Sequence, residues 1–134
     1  MATSTVLYKG SLRTECTHLR SGSQIITDAP VDNHGKGEAF SPTDLVATAL
    51  GSCMISIMGI VAMKNNFLFE GGSVEITKIM AEGPRRIAEI VAVVRMPGLP
   101  FTPEQKKMLE NAAIHCPVAK SIHPSIRQTI SFIY

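Results

Sequence analysis

Between Leu45 and Met63 the chain reads LVATALGSCMISIMGIVAM, nineteen residues without a charged side chain. This length approaches what crosses a bilayer, so the segment either enters lipid or needs enough apolar surface around it to be buried in protein. Gly51, Gly59, Ala47, Ala49, Thr48, Ser52 and Ser56 dilute its apolarity, and strand-like segments that need a partner surface follow it. The expectation is therefore a soluble helix, apolar all round because it is buried all round, with no membrane contact. A chain of 134 residues fits one globular domain over 1–134. One such domain can hardly wrap a helix completely, so oligomerisation through that helix is expected.

The start of this helix is written into the sequence. Ser41 stands as N-cap, Pro42 at the first helical position, and Asp44 three residues after the serine, a capping-box arrangement whose carboxylate also favours the positive helix end. Asn65 and Asn66 should end it. Before it, STVLYKGSLR, TECTHLR and QIITDAP read as an antiparallel meander of short strands, followed by a loop from Val31 to Phe40. After it, VEITKIMAEG and RRIAEIVAVVRM form a hairpin whose second strand, apolar on both faces, should be central. A slip in the alternation of ITKIM marks a bulge. Thr102, Pro103 and Gln105 cap a second helix with Met108, Leu109, Ala112 and Ala113 on one side. Cys116 before Pro117 is the N-cap of a short third helix, and SIRQTISFIY closes the chain as a strand. The fold class is α+β, two principal helices against antiparallel sheet.

Several function classes lose support at this level. A formal charge of +2, without a lysine or arginine run, gives no electrostatic footprint for nucleic acid. The N-terminal segment lacks a basic, then apolar, leader, so a cytoplasmic location is expected. In that reducing compartment three widely spaced cysteines rest as thiols, and any disulfide among them is transient. His115, Cys116 and His123 lack the paired spacing of zinc ligands, while His18 and His34 stand alone, so no metal is expected. Gly35 to Glu38 lacks the spacing of a phosphate loop, so a nucleotide site is unsupported, and no nucleophile elbow occurs to anchor a serine hydrolase.

The thiols remain. A thiolate is favoured beside a cation or at a helix N-terminus and disfavoured in apolar surroundings. Cys116 has a helix start and two histidines near it in sequence, whereas Cys53 lies about three turns inside an apolar helix with only Ser52 and Ser56 as local polar company. Cys53 is thus either a small core residue or a reactive thiol that draws a cation from elsewhere. Cys16, on a strand, has no such surroundings and reads as structural.

The segment FSPTDLVATALGSCM (Phe40 to Met54) resembles the helix start and first cysteine of the OsmC/Ohr family, and HCPVAKSI (His115 to Ile122) resembles its second-cysteine motif. The order of elements is similar along nearly the whole chain, from Tyr8-Lys9-Gly10 and ITDAP to the final strand. The resemblance implies an OsmC-like fold, an intertwined homodimer with its long helices central. It implies further a thiol peroxidase that needs no cofactor. Cys53 would attack an organic hydroperoxide, its sulfenic acid would condense with Cys116, and an external dithiol would reduce the disulfide. It places an arginine beside the reactive sulfur, with Arg13 the nearest match and Arg20 in reserve.

One position departs from the family pattern. Thr43 stands where the peroxidase branches carry the glutamate that fixes the arginine, and a hydroxyl cannot clamp a guanidinium bidentately. Asp44 is the neighbouring candidate for that role, although helix capping competes for it. The sequence is closer to the broad OsmC-like branch, for which slow or broad peroxidase activity is expected. Two alternatives stay open: a dimeric binding protein for a small hydrophobic ligand, and a redox sensor working through the same disulfide.

Overall fold

The computed structural model describes all 134 residues. The chain divides into two compact units, Met1–Val46 and Ala47–Tyr134.

In the first unit β1 (Ser4–Gly10), β2 (Arg13–His18) and β3 (Gln24–Asp28) form an antiparallel meander in sequential order. Its second turn closes through His18 N–H to Ser23 O and Gly22 N–H to His18 O. Its first turn is less ordinary, since Ser11 and Leu12 both hold positive φ, 55° and 63°. Each costs about 1–2 kcal/mol for an L-residue. Val6, Leu7, Tyr8, Ile25 and Ile26 remain exposed on these strands.

The long helix α1 (Pro42–Lys64) begins in the first unit and continues into the second. Its start follows the expected capping box: Ser41 N–H donates to Asp44 Oδ2 at 2.9 Å and Asp44 N–H to Ser41 Oγ at 3.1 Å. By length and composition alone α1 would suit a membrane span. Within the chain it is buried on one face only, by Ala47, Leu50, Gly51, Met54, Met58 and Ala62, which recur at helical spacing. The expected all-round burial is thus absent from the single chain, and Val46, Ile60 and Met63 are left exposed. The buried face includes a glycine for a steric reason: a Cβ on Gly51 would stand 3.0 Å from Ile76 and 3.2 Å from Val74.

The second unit holds β4 (Ser73–Ala81), β5 (Arg86–Arg95), α2 (Pro103–Ile114), α3 (Pro117–Ser121) and β6 (Arg127–Ile133). β4 and β5 form the expected antiparallel hairpin, and the register slips between Ile79 and Met80, where the alternation of ITKIM faltered. β5 is central. β6 joins its other side in parallel, because the chain leaves β5 and returns through α2 and α3, the kind of crossover that a parallel pair requires. One face of β5, with Ile90, Ala92 and Val94, packs in a single cluster with the buried face of α1, Leu109 and Ala113 of α2, and Cys116.

Candidate active site

The capping box of α2 is complete, with Gln105 N–H donating to Thr102 Oγ1 and Thr102 N–H to Gln105 Oε1. The helix therefore has a fixed start and stops at Ile114, just ahead of Pro117. Cys116 then takes the extended conformation typical of a residue before proline (φ −64°, ψ 157°) and becomes the N-cap of α3. Its Sγ accepts the Ala119 N–H at 3.5 Å, and its side chain is fully buried.

Cys53 reaches the same place from α1. It is half-buried and packs against the cluster that contains Cys116. Residues 63 positions apart in sequence thus share one packed cluster. Burial pushes the Cys116 thiol up from its ordinary value, the Ala119 N–H pulls it back, and the neighbouring Cys53 adds to the rise. All three cysteines are free thiols, and Cys16 lies on β2 with its sulfur 3.7 Å from Thr14 Oγ1.

The histidines near Cys116 are engaged elsewhere through Nδ1. His115 bonds the Asn111 carbonyl at 2.9 Å, so Nδ1 carries the proton. His123 Nδ1 accepts the Ser125 N–H at 3.0 Å. His, Cys, Asp and Glu side chains form no group of three that could hold a metal ion.

The charged constellation of the first unit is built around Arg13. It opens β2 directly after the strained Ser11-Leu12 turn and pairs in register with Asp28, the last residue of β3. The guanidinium meets that carboxylate side on: Nε donates to Oδ1 at 2.7 Å and Nη2 to Oδ2 at 2.8 Å. Nη2 also donates to Glu38 Oε1 at 3.0 Å, and the Glu38 N–H donates to Asp28 Oδ2 at 3.1 Å. Side-chain exposure is 1% for Asp28, 30% for Arg13 and 64% for Glu38. Arg13 holds the Asp28 carboxyl below the ordinary carboxylate range, and the pair raises the guanidinium further above neutrality.

Glu38 reaches this position because the loop before it folds tightly on Ala29. Gly37 N–H donates to Ala29 O, and a Cβ on Gly35 would fall 1.7 Å from that same oxygen. Only glycine fits at Gly35.

Of the residues expected from sequence, Cys53 and Cys116 come together in the second unit, and Arg13 stands in the first. Thr43 and Asp44 sit at the start of α1, Asp44 in the capping box and Thr43 Oγ1 at 3.3 Å from Ser41 Oγ. Arg20 lies in the exposed turn after β2. The acids that hold Arg13 are Asp28, inside the ITDAP segment, and Glu38, and no motif in the sequence ties either of them to Arg13. A register count along the β2–β3 hairpin is the one signal that pairs Arg13 with Asp28.

Two hollows open in the second unit. One of about 310 Å³ is lined by Thr48, Gly51, Ser52, Ile55, Ser73, Val74 and Ile76, and one of about 290 Å³ by Phe67, Leu68, Leu99, Pro100, Phe101 and Gln105. Neither is lined by a cysteine.

A family model described as OsmC-like protein matches residues 35–131. Among solved structures, the chain is similar to a protein of Psychrobacter arcticus 273-4 assigned to osmotic stress induction and detoxification response. Identity there is 50%, coverage 98% of this chain and 96% of that one, and TM-score 0.93. It shares its fold with the organic hydroperoxide resistance protein OsmC of Legionella pneumophila at 18% identity, covering 100% and 98% of the two chains with TM-score 0.74. The same holds for the organic hydroperoxide resistance protein OhrB of Bacillus subtilis, at 19% identity, 98% of each chain and TM-score 0.67. A comparison with curated proteins finds no match.

Proposed function

The chain belongs to the OsmC-like family, and from that footing we propose that it is a thiol-dependent peroxidase for organic hydroperoxides, acting in oxidative-stress defence. A peroxidase-related or redox role is supported by the family and by neighbours that carry organic hydroperoxide resistance in their names. The observation that supports the finer reading is the packing of Cys53 against the cluster that holds Cys116, 63 positions away in sequence.

The burial of the two cysteines supports an order for them. Cys53, half-buried, is the one a peroxide can reach, and its thiolate attacks the terminal oxygen of ROOH. The O–O bond breaks, Cys53 becomes a sulfenic acid, and the leaving alkoxide takes a proton to depart as ROH. Cys116, buried and with its thiol pushed up, stays protonated until then. Its sulfur displaces hydroxide from the sulfenic acid, its proton leaves with that oxygen as water, and a disulfide forms. An external dithiol returns both cysteines to thiols by exchange and is itself oxidised to its disulfide. Arg13 is the cation proposed to favour the Cys53 thiolate and to orient the peroxide. Ile57, one helical turn from Cys53, and the apolar cluster against which both pack suit an alkyl or aryl substituent on the peroxide.

A homodimer is part of the proposal. The exposed side of α1, with Val46, Ile60 and Met63, and the strand residues Val6, Leu7 and Tyr8 give each copy apolar surface to bury. A reducing cytoplasm would suit a cycle that starts and ends in thiols.

The test is consumption of cumene hydroperoxide in the presence of a dithiol. Wild type turns over, and Cys53→Ser does not. Equal turnover by wild type and Cys53→Ser would remove the mechanism. The hollow of about 310 Å³ beside α1 favours one other reading, a binding protein for a small hydrophobic ligand. Intact mass after one equivalent of hydroperoxide separates the two, since a binding protein forms no intramolecular Cys53 to Cys116 disulfide.

A further inference from the structure

We propose that Asp28, with Glu38, is the positioning group for Arg13, taking the part for which Thr43 lacks the chemistry and Asp44 is committed to capping. The inference rests on the peroxidase reading above and deepens it by naming what aims the guanidinium.

Three observations converge on Asp28. It accepts Arg13 Nε and Nη2 side on, the geometry that fixes a guanidinium plane and not merely its charge. It accepts a third donor, the Glu38 N–H, so the same carboxylate fixes the loop that presents the second acid. Its side chain is 1% exposed, and the backbone holds it too, through Arg13 as its register partner and through Asp28 N–H to Phe40 O at 3.0 Å. A buried carboxylate with several charge-assisted bonds does not wander.

The consequence lies in which donors remain. Of the five N–H groups of a guanidinium, Nε and both N–H groups of Nη2 are committed to Asp28 and Glu38. The pair on Nη1 is left to meet a ligand oxygen, with its direction set by the Asp28 clamp. The chain also accepts two left-handed residues, Ser11 and Leu12, directly before Arg13. Leu12 O is held there by the Ala29 N–H at 3.0 Å, from the residue that follows Asp28. Strain of this kind persists where the surroundings impose it, and here they impose the starting point of the Arg13 side chain.

The two acids contribute unequally. Asp28 is buried and fixed, whereas Glu38 is 64% exposed and shares only Nη2, so Asp28 sets the plane and Glu38 trims it. Replacing Asp28 by Asn removes the side-on clamp while keeping shape, and misaims Nη1.

The test is a double-mutant cycle read on two quantities: kcat/KM for cumene hydroperoxide, and the rate of Cys53 alkylation by iodoacetamide at neutral pH in the full-length protein. Asp28→Asn is expected to lower kcat/KM by roughly 10- to 100-fold, as misplacement of a catalytic group does, and to slow alkylation as well. Removing a negative charge without misaiming the arginine would instead speed alkylation, so the sign separates positioning from simple electrostatics. In an Arg13→Ala background the same substitution should cost little further, because Asp28 acts through Arg13. Glu38→Gln, at an exposed site that leaves the fold intact, should cost less than Asp28→Asn in the Arg13 background and nothing in Arg13→Ala. An unchanged or faster Asp28→Asn, or a cost that is the same with and without Arg13, overturns the inference. Should Asp28→Asn fail to fold, a Glu38→Gln cost independent of Arg13 overturns it. Loss of turnover in Cys53→Ser alongside any of these results leaves the peroxidase reading standing, so the two failures are distinguishable.

Discussion

Cys116 does two separable things, and a pair of substitutions pulls them apart. As N-cap of α3 its sulfur accepts the Ala119 N–H at 3.5 Å, and as a fully buried side chain it fills part of the core. Serine is among the best N-caps and alanine among the poorest, a difference of about 1 kcal/mol. Serine loses the apolar contact of a buried sulfur, about 1 kcal/mol, which its stronger cap offsets. Cys116→Ser should therefore lie within about 1 kcal/mol of wild type. Alanine loses the cap and leaves a void one atom in size, together about 2 kcal/mol. At roughly 4 °C per kcal/mol, Cys116→Ala should melt about 8 °C below wild type under reducing conditions, and Cys116→Ser within about 4 °C of it. Differential scanning calorimetry measures this. The proposed redox role ranks the pair differently, since neither variant could form the proposed Cys53 disulfide, and both should accumulate over-oxidised Cys53 by intact mass after hydroperoxide. If Cys116→Ala melts with wild type, the capping sulfur contributes nothing. If Cys116→Ser still gains an intramolecular disulfide on Cys53, the sulfur partner is misassigned.

Two further outcomes follow from the packing and the charges. Leu109→Ala, at a fully buried site of α2, should cost about 2–5 kcal/mol by thermal or urea unfolding, and Met108→Ala, exposed one position earlier, under about 1 kcal/mol. A carboxyl whose folded pKa is depressed contributes stability that is present above its ordinary value and lost as pH falls through the folded one. Wild type should thus lose stability on acidification below about 3.8 through Asp28, and Asp28→Asn should lack that part of the loss in melts taken across the acid range.

What was legible in the sequence was what is decided locally. Ser41 and Asp44, Thr102 and Gln105, and Cys116 before Pro117 satisfy helix termini within three residues, so the residues that announce each cap are the ones that make it. The bulge near Ile79 was legible because a slip in side-chain alternation is itself the bulge. The parallel union of β5 with β6 was not, since apolar alternation carries no strand direction, although two helices between two strands are the pattern that produces it. The one-sided burial of α1 was hidden for a related reason, because a helix apolar all round reads alike whether its second face is covered or open. Asp28 and Glu38 escaped because an acid that holds an arginine from another strand or loop has no signature of its own. Pairing depends on register, and for Glu38 on a fold of the loop that Gly35 alone permits.

The charge around Arg13 bears on how it could serve a peroxide. Two carboxylates face one guanidinium, so the cluster of Arg13, Asp28 and Glu38 carries a net negative charge. A guanidinium so compensated is a weak source of long-range attraction. What survives compensation is direction, because N–H groups aimed at an oxygen act at contact distance, where the geometry of the donor counts more than the net charge behind it. Hydroperoxides with alkyl or aryl substituents are uncharged and gain little from steering but much from alignment of the O–O bond with the attacking sulfur. A clamp that spends charge to fix a donor therefore suits the substrate class proposed here better than an unpaired arginine would.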